Sequence, residues 1–293
     1  MIVLCVRSGG PAIAAMLMAG AMALGAVGRN ARADVTVFDN GQFVTGVGTG
    51  VNAGAEVSQA ESSVISISFN ANAATASGGP IRLADDFTVS GAPGGGLHLS
   101  SMTFYGVQTS SATTNVQFGA FYVAIYDGRP SAGGALIGGD FTTNRLVSSA
   151  WSGAYRLGSS GTPSALRPIT RLTVDMSWAP KLANGTYWMV VSAVGDTAIT
   201  ASPNPQSIFV TPHPANANAQ QYYNSSWFDI WDLPFNIQAF CPGDFNRSHG
   251  LAVQDIFDFL NAWFAGNPDA DFNGNGLAVQ DIFDFLNAWF AGC

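Results

Sequence analysis

Residues Gly250–Gly266 and Gly276–Gly292 are the same 17-residue string, GLAVQDIFDFLNAWFAG, written twice within the last 53 residues of a 293-residue chain. A repeat this short cannot bury its apolar face alone, so the copies must pack on one another or on something else. Each copy follows a loop rich in oxygen donors, DFNRSH from Asp244 and DFNGN from Asp271, and Cys241 and Cys293 bracket the unit. Spaced oxygens feeding an apolar helix are the layout of a calcium-organised module.

A calcium loop of this kind takes oxygens at positions 1, 3, 5, 7, 9 and 12, the last a bidentate carboxylate. In the first copy these are Asp244, Asn246, Ser248, the Gly250 carbonyl, a water near Ala252, and Asp255. His249 occupies the sharp-turn position where glycine is usual, so a positive φ is expected there at modest cost. The second copy offers Asp271, Asn273, Asn275, the Leu277 carbonyl and Asp281, with Gly276 at the turn. Asp281 arrives one place early, so either the backbone absorbs the missing residue or the closing carboxylate misses the ion, and a poorer second site is expected. The alternative is a pair of Asp/Asn/Gly turns that merely cap helices, with Asp255 and Asp281 as N-cap residues. Two such loops before identical helices favour calcium, up to two ions.

On the helices, Ile256, Phe259, Leu260 and Trp263 form an i, i+3, i+4, i+7 stripe that pairs one copy with the other. Two helices of about eleven residues cannot hide the whole apolar arc between them. Phe257, Trp263 and Phe264, with Phe283, Trp289 and Phe290 in the second copy, are therefore expected to face a partner, the tryptophans as anchors. Packing onto the preceding domain is the alternative.

Only Cys241-Pro242-Gly243 precede the first loop within the unit, which leaves no room for an entering helix. Tandem loop-plus-exiting-helix units of this kind resemble the dockerin module. The closing Ala291-Gly292-Cys293, with Cys241 at the start, is similar to the variety that ends exported proteins of planctomycete-type bacteria in Gly-Cys. The resemblance covers residues 241–293. It implies a docking or anchoring module folded around two calcium ions, with a cohesin-like or cell-surface protein as partner. Dockerins of cellulose-degrading assemblies often carry hydroxyl residues at loop positions 10 and 11; Val253 and Gln254 stand there instead.

The first 33 residues read as a secretory signal: Arg7, an apolar stretch from Pro11 to Val27, and Ala31-Arg32-Ala33 before Asp34. An uncleaved anchor is the alternative. No second apolar segment follows, so the mature chain is expected to be soluble, without a membrane span, and secreted or held at the cell surface. Cleavage would remove three of the 11 basic residues and no acid, leaving 8 against 19 acids, a net charge of −11. That balance, with Lys181 the only lysine, excludes the clustered positive charge that nucleic acid requires. Cys5 leaves with the signal, and an even pair in an oxidising compartment predicts a Cys241–Cys293 disulfide.

Residues 34–240 show short apolar alternations between Gly, Ser, Asn and Pro clusters, the pattern of a β-sandwich or jelly roll. Strands are expected at Val64–Phe69, Asp86–Val89, Leu97–Val107, Phe118–Tyr126, Leu172–Val174, Tyr187–Ala193 and Phe235–Phe240. The domain boundary falls at Phe240–Cys241, where the repeat begins. The fold class is thus mainly β, with a small α-helical calcium-loop domain at the C-terminus. No nucleophile elbow or H-E-x-x-H appears, the only glutamates are Glu56 and Glu61, and Asp85-Asp86 is expected to cap a turn or hold a structural cation. Tyr222, Tyr223, Trp227 and Trp231 cluster after the Pro/Asn loop Thr211–Gln221 and suit stacking on sugar rings, with core packing as the alternative. The residues thus point to a non-catalytic exported binding or structural protein with polysaccharide as a β-domain ligand. The rival class is a polysaccharide-active hydrolase that uses the tail as its docking handle.

Overall fold

The computed structural model describes residues 34–73, 79–109, 112, 118–196 and 204–293. The signal segment expected at 1–33 lies outside these residues. The strands run in chain order as β1 (Asp34–Asp39), β2 (Gly46–Val47), β3 (Glu56–Gln59), β4 (Ile67–Ser68), β5 (Arg82–Val89), β6 (Leu99–Val107), β7 (Ala120–Tyr126), β8 (Leu136–Asp140), β9 (Leu146–Leu157), β10 (Pro168–Asp175), β11 (Gly185–Val194), β12 (Gln206–Ser207), β13 (Gln220–Tyr223), β14 (Ser226–Asp229) and β15 (Phe235–Phe240). Two helices follow, α1 (Val253–Phe264) and α2 (Val279–Ala291). Neither is long and apolar enough to cross a membrane.

Strand β7 shows why the chain folds into layers. Phe121, Val123 and Ile125 are fully buried on one face, while Tyr122 and Tyr126 stay half-exposed on the other. The strands assemble into two sheets. The larger runs β1-β15-β6-β10-β9-β3-β2, with β12 on β6 and β4 on β12; the smaller runs β14-β13-β5-β11-β7-β8. Every pairing between named strands is antiparallel except β3 on β9. Both sheets turn apolar residues into one shared core. Phe104 of the larger sheet meets Phe121 of the smaller at 5.4 Å between ring centroids, and Phe69 touches both, at 5.6 and 6.0 Å. Aromatic pairs at such spacings contribute about 0.5–1.5 kcal/mol each beyond their burial.

Strand β9 has no counterpart among the expected strands, although it is the longest. Its sequence LVSSAWSGAYRL lacks clean alternation because Gly153, at φ +96°, lies in a bulge that resets the register against β10. Strand β5 also begins four residues earlier than expected, because Asp85 and Asp86 lie within it rather than in a turn. The buried Asp85 carboxylate accepts from the Asn40 amide at 2.8 Å, the Leu233 N–H at 2.8 Å and the Asp86 N–H at 2.9 Å. Asp85 is thus a cross-link that ties one end of the β1–β15 pair, where Asn40 leaves β1 and Leu233 leads into β15, to the smaller sheet, in place of the turn cap or cation ligand expected from sequence.

The described residues, from Asp34 to Cys293, belong to one compact unit. The repeat region rests against the turn before β6, where backbone meets backbone: Gly95 N–H donates to the Phe272 carbonyl at 3.1 Å. A Cβ at Gly94 would overlap the Asn273 carbonyl, and one at Gly274 would overlap the Gly94 carbonyl. Only glycine permits that approach.

Candidate calcium loops and docking face

Both loops fold around their leading aspartate. In the first, Asp244 Oδ1 accepts the Ser248 N–H at 2.9 Å and Oδ2 the Gly250 N–H at 3.2 Å. In the second, Asp271 Oδ1 accepts from Gly274 at 2.8 Å and Oδ2 from Gly276 at 3.0 Å. The tight winding requires positive φ at the fourth and sixth positions of each loop. Glycines supply it in the second, at +76° for Gly274 and +103° for Gly276. Arg247 at +58° and His249 at +62° adopt it in the first, at the modest cost expected for non-glycine residues.

The closing aspartates are both fully buried and occupy the third position of their helices, so neither is the N-cap. Ala252 and Ala278 hold the cap positions and have no side-chain oxygen to offer. Asp255 Oδ2 accepts the Ala252 N–H at 2.8 Å, and Asp281 Oδ2 the Ala278 N–H at 2.7 Å. This is the carboxylate half of a capping box, and it also sets negative charge at the helix N-terminus. The remaining oxygens reach back into the loops: Asp255 Oδ1 takes the Asn246 N–H at 3.3 Å, and Asp281 Oδ1 takes the Phe272 and Asn273 N–H groups at 3.0 and 3.2 Å. Asp281 therefore closes on its loop as Asp255 does, and of the two outcomes the spacing allowed the backbone adjusts. The missing residue is absorbed between Asp271 and its donors.

The other expected ligands are arranged in parallel. Asn246 and Asn273 donate to Asp258 and Asp284 on the helices, at 3.0 and 2.9 Å. Their amide oxygens accept from Ser248 and Asn275, at 3.1 and 3.2 Å. The Ser248 hydroxyl lies 3.5 Å from Asp244 Oδ1 and 3.4 Å from the Gly250 carbonyl. Burial raises the Asp244 carboxyl above its ordinary range; the Ser248 N–H offsets part of this, and the nearby Asp255 charge adds to it. The oxygens each loop carries, two carboxylates with amide and carbonyl groups and in the first loop the Ser248 hydroxyl, are of the type a hard cation takes and not of the type zinc takes. Among the described residues, no three His, Cys, Asp or Glu side chains gather as a metal site, so each loop would rely on neutral oxygens beside its two acids.

Cys241 and Cys293 are joined in a disulfide, with Cα atoms 5.6 Å apart. Between the helices, the Phe259 and Phe285 rings stack at 4.1 Å and 1°. Trp263 and Trp289 each reach across to the opposite helix. Trp263 Nε1 donates to the Ala278 carbonyl at 2.9 Å, and Trp289 Nε1 to the Ala252 carbonyl at 3.0 Å. Each indole braces the start of the other helix and is half-buried. The outward apolar surface is instead phenylalanine: Phe257 and Phe283 are each 57% exposed, Phe264 77% and Phe290 69%.

The tail also carries a joint that sequence analysis missed. Arg247 lies 2.7 Å from His98 Nε2 and 3.7 Å from Asp269, Lys181 lies 3.6 Å from Asp269, and His249 lies 3.1 Å from Asp34. Burial, followed by the Arg247 and Lys181 charges, pushes His98 down to about 4. The one visible signal was the run Gly94-Gly95-Gly96, three successive glycines that no ordinary turn requires.

The four aromatics proposed for sugar stacking do not form one surface. Tyr222 and Trp227 pair across the β13–β14 hairpin at 5.2 Å, and the Arg82 guanidinium lies 5.7 Å from the Tyr222 ring. Tyr223 stands exposed beside them, whereas Trp231 lies elsewhere, stacked on His213 at 4.1 Å and edge-on to Phe209 at 5.2 Å. Glu61 is held by His213 through both its N–H and its ring, at 2.8 and 3.2 Å.

No family model matches the chain, and no curated protein matches it. Among solved structures, the cysteine protease and lectin-like domains of Cwp84, a surface layer associated protein of Clostridium difficile, align over 55% of this chain at 12% identity and a TM-score of 0.31. The aligned part spans 32% of that structure. A likeness at this level carries no argument about fold or function.

Proposed function

We propose that this is an exported, non-catalytic binding protein whose two-sheet domain engages polysaccharide and whose C-terminal module is a dockerin-like handle. In this reading the handle is organised by calcium in the loops at Asp244 and Asp271. It attaches to a cohesin-like or cell-surface protein through Phe257, Phe264, Phe283 and Phe290. The observation that carries the proposal is the repetition itself. Two loops of converging oxygens each close on a buried helix aspartate, and each helix leaves the same two phenylalanines exposed. Apolar side chains displayed in a repeated pattern on a chain with 19 acidic residues mark a contact surface better than a solvated one.

Calorimetric titration of the full chain with calcium tests the loops. Two binding events are expected, with Asp244→Ala removing the tighter. Asp281 Oδ1 is already engaged by two backbone N–H groups against one for Asp255, which makes it the less available oxygen. The handle is tested by changing Phe257, Phe264, Phe283 and Phe290 to Ser in the producing cell. Release into the medium with calcium binding intact is expected. Absence of calcium binding, or retention of the variant at its normal location, would sink the respective half of the proposal.

A further inference from the structure

On the outer face of the larger sheet, β1, β15 and β6 bring together side chains from distant parts of the chain. Asp39 of β1 pairs in register with Asn236 of β15, and Phe235 of β15 pairs with Phe104, the residue before Tyr105 of β6. The loop after β1 folds over them and adds Gln42 and Phe43. The result is an open cleft of about 500 Å³ lined by Asp39, Gln42, Phe43, Tyr105 and Asn236. Its wall is aromatic, with Phe43 and Tyr105 at 4.4 Å between centroids. Its polar groups are largely unengaged. The Gly41 N–H occupies one Asp39 oxygen at 3.0 Å, and the Asn236 amide oxygen is shielded from water without a partner. A buried amide oxygen left unpaired costs about 1–3 kcal/mol, and the broad χ2 well of asparagine lets the amide turn toward a ligand hydroxyl.

From this geometry we infer that the cleft binds a sugar unit of a neutral polysaccharide, its C–H face on Tyr105 and its hydroxyls on Asp39, Gln42 and Asn236. The inference deepens the binding-protein reading above and rests on it. A carboxylate that accepts and two carboxamides that both donate and accept match hydroxyl groups. An amide-and-acid rim on a chain of net charge −8 repels a polyanion. A second cleft of about 380 Å³, lined by Asp34, Val35, Thr36 and Gln238, continues the same seam. Gln238 is two residues along β15 from Asn236, roughly 7 Å at the rise of a strand, and its amide is held by Thr36 Oγ1 at 3.0 Å. The Tyr222–Trp227 hairpin belongs to the smaller sheet, outside this cleft, and Trp231 is covered by His213.

Affinity electrophoresis of the full chain through gels containing hydroxyethylcellulose, arabinoxylan, galactomannan or alginate tests this. Retardation by at least one of the three neutral polymers is expected, and none by alginate. Asp39→Ala and Gln42→Ala, both at exposed positions, should each weaken binding about tenfold, equivalent to about 1.4 kcal/mol. Trp227→Ala should bind within about twofold of the parent, well below that step. Neutral-polymer binding that survives both cleft substitutions, or that Trp227→Ala removes, overturns this site but leaves a polysaccharide-binding domain. Retardation by alginate alone overturns the neutral class. Retardation by none of the four overturns the polysaccharide reading itself.

Discussion

Counted from the leading aspartate, the first loop enters its helix one residue later than the second, yet the two helices are identical in sequence and nearly so in surroundings. The first loop touches the β-domain through side chains, Arg247 on His98 and His249 on Asp34. The second touches it through backbone, Phe272 on Gly95 and Gly274 against Gly94. The pair teaches that helix sequence fixes the inward face of a repeat, while the loop before it decides how the repeat sits on its neighbour. A side-chain contact tolerates the strained φ of Arg247 and His249. A backbone contact tolerates no Cβ at all.

Four measurements would break or sharpen this comparison. The disulfide clasps both copies, so its loss should have the largest effect. Replacing Cys241 and Cys293 by Ser opens a 52-residue separation, worth about 4 kcal/mol in the chain-entropy account. Denaturant unfolding should show the tail melting before the sandwich; coincident, unshifted transitions would mean that packing alone holds the copies together.

Next comes the contrast between Gly274 and Arg247, the fourth positions of the two loops. Gly274→Ala forces a Cβ into the left-handed region and against Gly94, at a combined cost of about 2–4 kcal/mol. Arg247→Gly relaxes its backbone but loses the contacts to His98 and Asp269, for a net change under about 1 kcal/mol. Equal losses in thermal unfolding would show that the two loops dock in the same way.

Trp263→Phe and Trp289→Phe each remove one indole N–H donor from a carbonyl of the opposite helix, at about 1 kcal/mol apiece. Similar values are expected from the internal symmetry. A large excess for one would reveal that the copies share the load unequally.

The smallest effect concerns pH. His98 is held neutral in the folded chain down to about 4, whereas an unfolded histidine takes up its proton near pH 6.5. A depressed histidine contributes stability that is present above pH 6.5 and lost as pH falls from there toward 4. His98→Gln should flatten the fall in melting temperature over that window relative to the parent. An unchanged slope would remove His98 from the joint.

Much of the architecture was legible because it follows from side-chain period. Alternation located β6, β7, β11 and β15 to within two residues, since each buries one face in the shared core. It missed β9, where the Gly153 bulge breaks the period, and it read Asp85 as a turn residue because a buried carboxylate in a strand is intelligible only once Asn40 and Leu233 arrive to satisfy it. In the tail, spacing gave the loops, the cysteine pair and the helix stripe. It could not show that the indole N–H groups find carbonyls 15 and 37 residues away, on the opposite helix.

The sequence by itself determined the repeated loop–helix unit, the acidic balance and the alternating strands, because each depends on residues near one another in the chain. Only the tertiary structure decided that the second loop seats on Gly94 and Gly95, that each indole reaches the opposite helix, and that Asp39, Tyr105 and Asn236 share one cleft. These depend on which strands become neighbours across a sheet. That choice is made by the packing of two apolar faces against each other, and no local pattern records it.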